Sequence, residues 1–243
     1  MILIAHRGAS FDAPENTLAA VNLAWEQGAD AVEVDVHLTR DNHLVAIHDA
    51  TTRRTCRVRG RITSRTVEQI CSLDAGSWKH AKWRDERIPT LEQILATVPR
   101  GKRLFIEIKA RKNTASALAK VFERCHCAPK QIVLIGFSLK AMKSLKRAFP
   151  EIEVCWIAGL KRNRLTRRWP DGDRLARKIK AAGLDGLDLR ANGAITPAFI
   201  KKIHSAALKL YVWTVDSPET AEKLSRAGVD GITTNRPGWL RSQ

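Results

Sequence analysis

One short phrase occurs three times in this chain: Gly28-Ala29-Asp30-Ala31-Val32, Gly183-Leu184-Asp185-Gly186-Leu187 and Gly228-Val229-Asp230-Gly231-Ile232. Each copy follows an amphipathic stretch and opens an apolar run of strand length. A glycine in that position ends a helix in the left-handed conformation. The phrase therefore marks a join from a helix into the next parallel strand. Eight apolar runs of strand length follow one another: Leu3–Ala5, Ala31–Val36, Leu104–Ile108, Ile132–Ile135, Ile152–Ile157, Leu184–Leu189, Lys209–Val215 and Val229–Thr233. Between most of them apolar residues recur at helical period, over Thr17–Gln27, Leu91–Val98, Ala115–Cys125, Leu139–Phe149, Asp173–Ala182, Pro197–Ala207 and Pro218–Ala227. Thr90 with Gln93 has capping-box spacing. Thr196-Pro197 and Ser217-Pro218 each set a hydroxyl before a proline at the first helical position. Eight strands with intervening helices predict an α/β fold, a (β/α)8 TIM barrel. A doubly wound open sheet is the alternative, but no glycine-rich phosphate loop follows the first strand.

One segment interrupts the alternation. From Ala50 to Pro89 the chain is basic and irregular, with a short helix expected at Val67–Leu73. That is too long for an ordinary connection. It reads as an insertion after the second strand region, roughly residues 50–89, placed to cover the barrel mouth. No linker or low-complexity tract divides the 243 residues, so one barrel domain over 1–243 is expected.

Composition narrows the class. Hydrophobic content of 44% and charged content of 28% are those of a soluble globular protein. No apolar run approaches the 20 or so residues of a spanning helix, and Met1–Ser10 carries no basic leader. A cytoplasmic location without stable membrane insertion is expected. The five cysteines are scattered and odd in number, unlike a disulfide framework. Cys125-His126-Cys127 lacks a second pair at zinc spacing. Net charge is +17, which favours anionic partners. The densest basic run, Lys161 to Lys180, reads either as a solvated face or as an anion-binding surface. No nucleic-acid module or aromatic-interleaved basic motif accompanies it, so nucleic acid is not the expected partner.

The chemistry lies at the strand ends, where barrels keep their sites. His6 closes the first run. Glu33 and Asp35 are two apart, so on a strand they share a face while Val32, Val34 and Val36 take the other. His48 and Asp49 follow a short run, Leu44–Ile47. Glu107 and Lys109 alternate with apolar neighbours in the same way, and Trp213 ends Leu210–Trp213. Three carboxylates brought together without a cation would repel, and at least one would stay protonated. Their all-oxygen character suits a hard divalent ion, Mg2+ or Ca2+, rather than zinc. Such an ion acts as a Lewis acid on a phosphoryl oxygen, with Arg7 and Lys109 as donors to the remaining phosphate charge. Histidines suit proton transfer near neutral pH, and His6 and His48 would serve the two sides of a phosphodiester cleavage. Duller roles stay open: Lys109 balancing Glu107, Arg7 pairing with Glu15, Trp213 filling core.

Several phrases carry a resemblance: His6-Arg7-Gly8-Ala9-Ser10, Ala13-Pro14-Glu15-Asn16-Thr17-Leu18, Glu33-Val34-Asp35-Val36, His48-Asp49, Asp74-Ala75-Gly76-Ser77-Trp78, Ile88-Pro89-Thr90-Leu91, Ile106-Glu107-Ile108-Lys109, Val212-Trp213-Thr214-Val215 and Thr234-Asn235-Arg236-Pro237. Over nearly its whole length the chain resembles the glycerophosphodiester phosphodiesterase family. The resemblance implies a barrel with a small insertion and one divalent metal held by Glu33, Asp35 and Glu107. It implies His6 and His48 as the general acid/base pair, Arg7 and Lys109 on phosphate, and Glu15 close by. Trp213 joins the substrate-binding residues. The implied reaction releases sn-glycerol 3-phosphate and an alcohol from a glycerophosphodiester, either through a cyclic phosphate or by direct attack of water. The chain departs from the family pattern at Arg53–Arg59, at Gly136 before Phe137, and at two positions near the end. Asparagine is common where Asp216 stands, and aspartate where Asn235 stands. Two other readings of the chain are a lysophospholipase D with the same site, and a non-catalytic basic barrel that binds anions or nucleic acid.

Overall fold

A computed structural model describes residues 1–109, 113–125 and 128–243. The Cys125-His126-Cys127 triplet falls partly outside them. Eight strands close a parallel barrel: β1 (Ile2–His6), β2 (Ala31–Leu38), β4 (Arg103–Ile108), β5 (Ile132–Gly136), β6 (Glu153–Ala158), β7 (Gly186–Arg190), β8 (Lys209–Trp213) and β9 (Gly231–Thr234). They neighbour one another in chain order, and β1 pairs with both β2 and β9, so no edge is left. The short β3 (Leu44–Ala46) lies antiparallel on the outer end of β2. This is a TIM barrel, not a doubly wound sheet.

The outer ring of helices begins with α1 (Leu18–Glu26), after which the insertion adds α2 (Arg53–Cys56) and α3 (Val67–Cys71), and α4 (Leu91–Leu95) precedes β4. From there α5 (Thr114–Arg124), α6 (Leu139–Ala148), α7 (Gly172–Ala181), α8 (Pro197–Ser205) and α9 (Pro218–Ala227) alternate with strands, and α10 (Pro237–Arg241) ends the chain. The caps form as their residues dictate. Thr90 and Gln93 make a reciprocal capping box, and Thr196 and Ser217 accept from the third residue on. Gly28, Gly183 and Gly228 all have positive φ.

The recurring aspartates do more than mark a join. Each lies just before its own strand and accepts the N–H of the second residue of the strand beside it. Asp30 takes the Leu3 N–H at 3.0 Å, Asp185 that of Val154 at 2.8 Å and Asp230 that of Leu210 at 2.8 Å. The phrase thus fixes the register of three strand pairs at the barrel's N-terminal end.

Alternation along the strands separates two cores. Val32, Val34 and Val36 of β2, with their counterparts on other strands, face the helices. Ile4, Phe105, Val133, Cys155 and Tyr211 face the barrel axis and form its dry floor, where Phe105 and Tyr211 meet edge to face at 4.9 Å. Below the floor Glu153 accepts from Arg103 at 2.8 Å and from the Tyr211 hydroxyl at 2.7 Å. The segment after β3 builds a smaller core of its own from Val45, Ile47, Ile62, Ile70 and Ile88. Its helix α3 stops two residues short of the expected Leu73, because Ser72 already closes the turn.

Candidate active site

One storey above the floor, the inward positions of the strands turn polar. Glu33 and Asp35 lie in the middle of β2 rather than at its end, because β2 continues to Leu38 to pair with β3. Strand register sets Asp35 beside Glu107 and His6 beside Glu33. One oxygen from each of Glu33, Asp35 and Glu107 lies within 4.8 Å of the others, and all three residues are buried.

The loop after β1 is bent over this cluster. Arg7 has φ 57° and Gly8 φ 81°, and a Cβ on Gly8 would stand 2.4 Å from the Ala20 carbonyl carbon of α1. Only glycine permits that approach. The bend aims the Arg7 N–H at Glu33 Oε2, at 2.9 Å, and sets its guanidinium between Glu15 Oε1 at 2.9 Å and Asp35 Oδ2 at 3.1 Å. Asn16, also at positive φ, grips Asp35 twice: its Nδ2 donates to Oδ2 and its Oδ1 accepts the Asp35 N–H. Lys109 Nζ lies 3.0 Å from Asp35 Oδ1 and 2.5 Å from Glu107 Oε1.

Three acids therefore share two cations, and the shortage falls unevenly. Burial would raise Asp35, but Lys109 and Arg7 hold it down at about 2. Burial, then the charge of Asp35, pushes Glu107 up to about 7 against the pull of Lys109. Burial and the charges of Asp35 and Glu107 push Glu33 well above the usual carboxylate range. Glu33 Oε1 is buried with no hydrogen-bond partner among the described residues. Asp35 Oδ1 and Glu107 Oε1 meet the Lys109 ammonium. A site with an excess carboxylate, an orphaned oxygen and only oxygen donors fits a divalent hard cation.

The histidines are held from behind by different partners. His6 Nδ1 is 2.7 Å from Asn235 Oδ1. The orientation of that amide is set by Asp216, whose Oδ2 accepts from Asn235 Nδ2 at 2.7 Å. An amide oxygen can only accept, so His6 carries its proton on Nδ1 and leaves Nε2 with a free lone pair. Burial, then the charge of Arg7, lowers the pKa of His6. His48 Nδ1 instead meets a carboxylate, Asp49 Oδ1, at 2.8 Å. Arg54 binds Asp49 and Glu15 together, and the Arg54 hydrogen bond, with that of His48, holds Asp49 down at about 2. The run Arg7–Glu15–Arg54–Asp49–His48 thus ties the insertion to the loop after β1.

A cavity of about 150 Å³ opens among these groups. Its polar wall is His6, Arg7, Glu33, His48, Glu107 and Lys109, and Trp213, Phe137 and Ile157 form the apolar wall. Phe137 and Trp213 stand edge to face at the rim, 6.0 Å apart. Of the residues singled out in the sequence, Asp35 lies behind the wall, Glu15 beside it and Asp49 against His48 Nδ1, while His6, Arg7, Glu33, His48, Glu107, Lys109 and Trp213 line the cavity. Arg7 does pair with Glu15, and Lys109 with Glu107, as the duller readings required, yet both cations also reach Asp35. Sequence reading missed Asp188, which lines the cavity from β7, 3% exposed, with Oδ1 unpartnered among the described residues. It also missed Asn16, Arg54 and the grip of Asn235 on His6.

The model of the glycerophosphoryl diester phosphodiesterase family matches residues 6–239. The chain belongs to that family. A glycerophosphodiester phosphodiesterase of Caldanaerobacter subterraneus is 34% identical over 246 residues, which cover 98% of this chain and 96% of the relative. The fold matches an Oleispira antarctica phosphodiesterase solved with sn-glycerol-3-phosphate, described there as the product. The TM-score is 0.85 and the identity 27%, over 100% of this chain and 96% of the other. A Parabacteroides distasonis glycerophosphodiester phosphodiesterase aligns at TM-score 0.79 and 29% identity, over 99% and 95% of the two chains.

Proposed function

We propose that this enzyme hydrolyses glycerophosphodiesters to sn-glycerol 3-phosphate and an alcohol, with a divalent cation and the two histidines as its working parts. The observation that carries this reading is the cavity in which His6 and His48, each fixed through Nδ1 by its own partner, face a carboxylate cluster short of positive charge. Glu33, Asp35 and Glu107 would hold the ion, Mg2+ or Ca2+, whose chemistry is to withdraw charge from a phosphoryl oxygen.

The protein's own groups account for the rest. Arg7 and Lys109 border the cavity and give donors to the phosphate oxygens. Neutral His6 takes the proton of the attacking oxygen at Nε2. His48, supported by the Asp49 carboxylate, gives a proton to the leaving alkoxide as the P–O bond breaks. The attacking oxygen belongs either to water or to the substrate's own neighbouring hydroxyl; in the second case water then opens the cyclic phosphate to give glycerol 3-phosphate. Trp213 and Phe137 bound the glycerol on its apolar side, and the unpartnered Asp188 carboxyl meets a glycerol hydroxyl. The product seen in the Oleispira relative supports this substrate class. Cys56, Cys71 and Cys155 are free thiols, which fits a reducing, cytoplasmic setting.

The test is release of glycerol 3-phosphate from glycerophosphocholine and glycerophosphoethanolamine by metal-stripped protein, before and after Mg2+ or Ca2+ is restored. Release that returns with the ion is the expected result. Folded protein that stays inert with both ions on both substrates would refute the proposal.

A further inference from the structure

We propose that the mouth of the barrel is a docking surface for an anionic lipid bilayer. In a parallel barrel every loop that follows a parallel strand opens at the end that holds the site. The insertion, which follows the antiparallel β3, is tied to that end by Arg54, bound to Glu15 of the loop after β1 and to Asp49 beside His48. Two of these loops are basic and free of acids. From Thr51 to Val67 the insertion contains no acid, and Arg53, Arg57, Arg59 and Arg61 are exposed without an ion-pair partner among the described residues. From Gly159 to Pro170 the loop after β6 again contains no acid. Lys161, Arg162, Arg164, Arg167 and Arg168 are all exposed there, and none makes an ion pair among the described residues. Strands β4 and β5 separate β2 from β6, so the two basic loops flank the mouth from different sides.

Exposed apolar side chains gather on the same end. Leu165 is 93% exposed at the tip of the loop after β6. The tip is built to hold it outward: Asn163 Oδ1 accepts the N–H groups of Leu165 and Thr166, both at 2.9 Å, and the Asn163 N–H donates to the Arg168 carbonyl at 2.8 Å. Val58 in the insertion, Phe11 after β1 and Phe137 after β5 are exposed too. Arginines alone would suit any polyanion. An aliphatic tip set among them gains nothing from a nucleic-acid backbone, whereas at a bilayer it enters the acyl boundary while the cations meet lipid phosphates. No helix among the described residues is long and apolar enough to cross a membrane, so the contact is peripheral and reversible.

The experiment is flotation of the full chain with vesicles of phosphatidylcholine alone and of phosphatidylcholine mixed with phosphatidylglycerol. The protein floats with the mixed vesicles, not with the neutral ones, and added salt releases it. Each basic side chain near an anionic surface contributes about fivefold in affinity, so Arg164→Gln/Arg167→Gln/Arg168→Gln weakens binding on the order of 100-fold. Leu165→Asp weakens it as well. A control triple on the barrel wall, Lys143→Gln/Arg147→Gln/Lys223→Gln, removes the same charge and leaves binding nearly intact. All of these variants hydrolyse soluble glycerophosphocholine at the parent rate, which certifies their fold. Equal flotation with neutral vesicles, or equal loss in the loop and wall triples, would overturn the proposal. So would retention of duplex DNA through these loops by a protein that vesicles do not retain.

Discussion

Removing one carboxylate from the Glu33–Asp35–Glu107 cluster should stabilise the metal-free protein, and only at high pH. Glu107 is the cleanest case because its pKa is raised from 4.5 to about 7. Below pH 4.5 folded and unfolded chains both hold the proton, and the group contributes nothing. Between 4.5 and 7 the unfolded chain gives it up while the folded chain keeps it. Stability then falls by about 1.4 kcal/mol per pH unit. Above 7 the loss is complete, at about 3 kcal/mol for the whole shift. Glutamine at 107 keeps the shape and has no proton to lose, so Glu107→Gln should be near neutral at pH 4.5 and more stable than the parent by about 3 kcal/mol at pH 8. Relief of Glu33, which the Glu107 charge also raises, acts in the same direction. Asp35 and Asp49, both held down at about 2, complete their titration below this window. His6 and His37, both lowered chiefly by burial, are common to both proteins and cancel in the difference. The assay is urea unfolding in chelator at the two pH values, followed by tryptophan fluorescence. Restored Mg2+ or Ca2+ should reverse the order at pH 8 by stabilising the parent alone. A difference between variant and parent that is the same at both pH values would refute the reasoning.

Other expectations follow from the same geometry. His6→Ala and His48→Ala should each lose about 10²–10⁴-fold in turnover with thermal unfolding unchanged; near-parent rates would remove that residue from the mechanism. Exchanging Asp216→Asn with Asn235→Asp puts a carboxylate against His6 Nδ1 and should raise the acid limb of the kcat/KM profile by about 1–3 pH units; a fixed acid limb would show that His6 does not set it. Asp188→Ala should raise KM about tenfold, the worth of one good hydrogen bond to substrate, and leave the metal requirement alone; an unchanged KM would take Asp188 off the glycerol.

The barrel is legible because its physics is repetitive. Parallel strands covered on both faces read as apolar runs, and helices that cover them read at helical period. The limits of each element are less legible, because they depend on partners distant in sequence. Nothing in Ala31–Leu38 says that β2 runs on past Val36 to Leu38, since the reason is β3 folding back on it. The five-residue α10 is too short to leave a periodic signal. In the site, the rule that exposed Glu33 and Asp35, an acid between apolar neighbours on a strand, applies equally to Leu187-Asp188-Leu189. The signal was present there and lacked only a second acid beside it. Arg54 and Asn16 left no such signal, because their work is done on residues 39 and 19 positions away.

Asp216 and Asn235 join the two levels. As letters they are two separate positions at which the family resemblance leads one to expect asparagine and aspartate instead. In space they are one hydrogen-bonded pair, so the departures are a single exchange in which the amide and the carboxylate trade places. The exchange preserves the bond that orients residue 235, and it changes what His6 meets. A carboxylate there would favour the imidazolium; the amide oxygen fixes the same tautomer without adding charge. With burial and Arg7 already lowering its pKa, His6 is kept neutral and ready to accept a proton. The site thus divides its two histidines by partner, an amide behind His6 and a carboxylate behind His48, which suits the proposed roles of proton acceptor and proton donor.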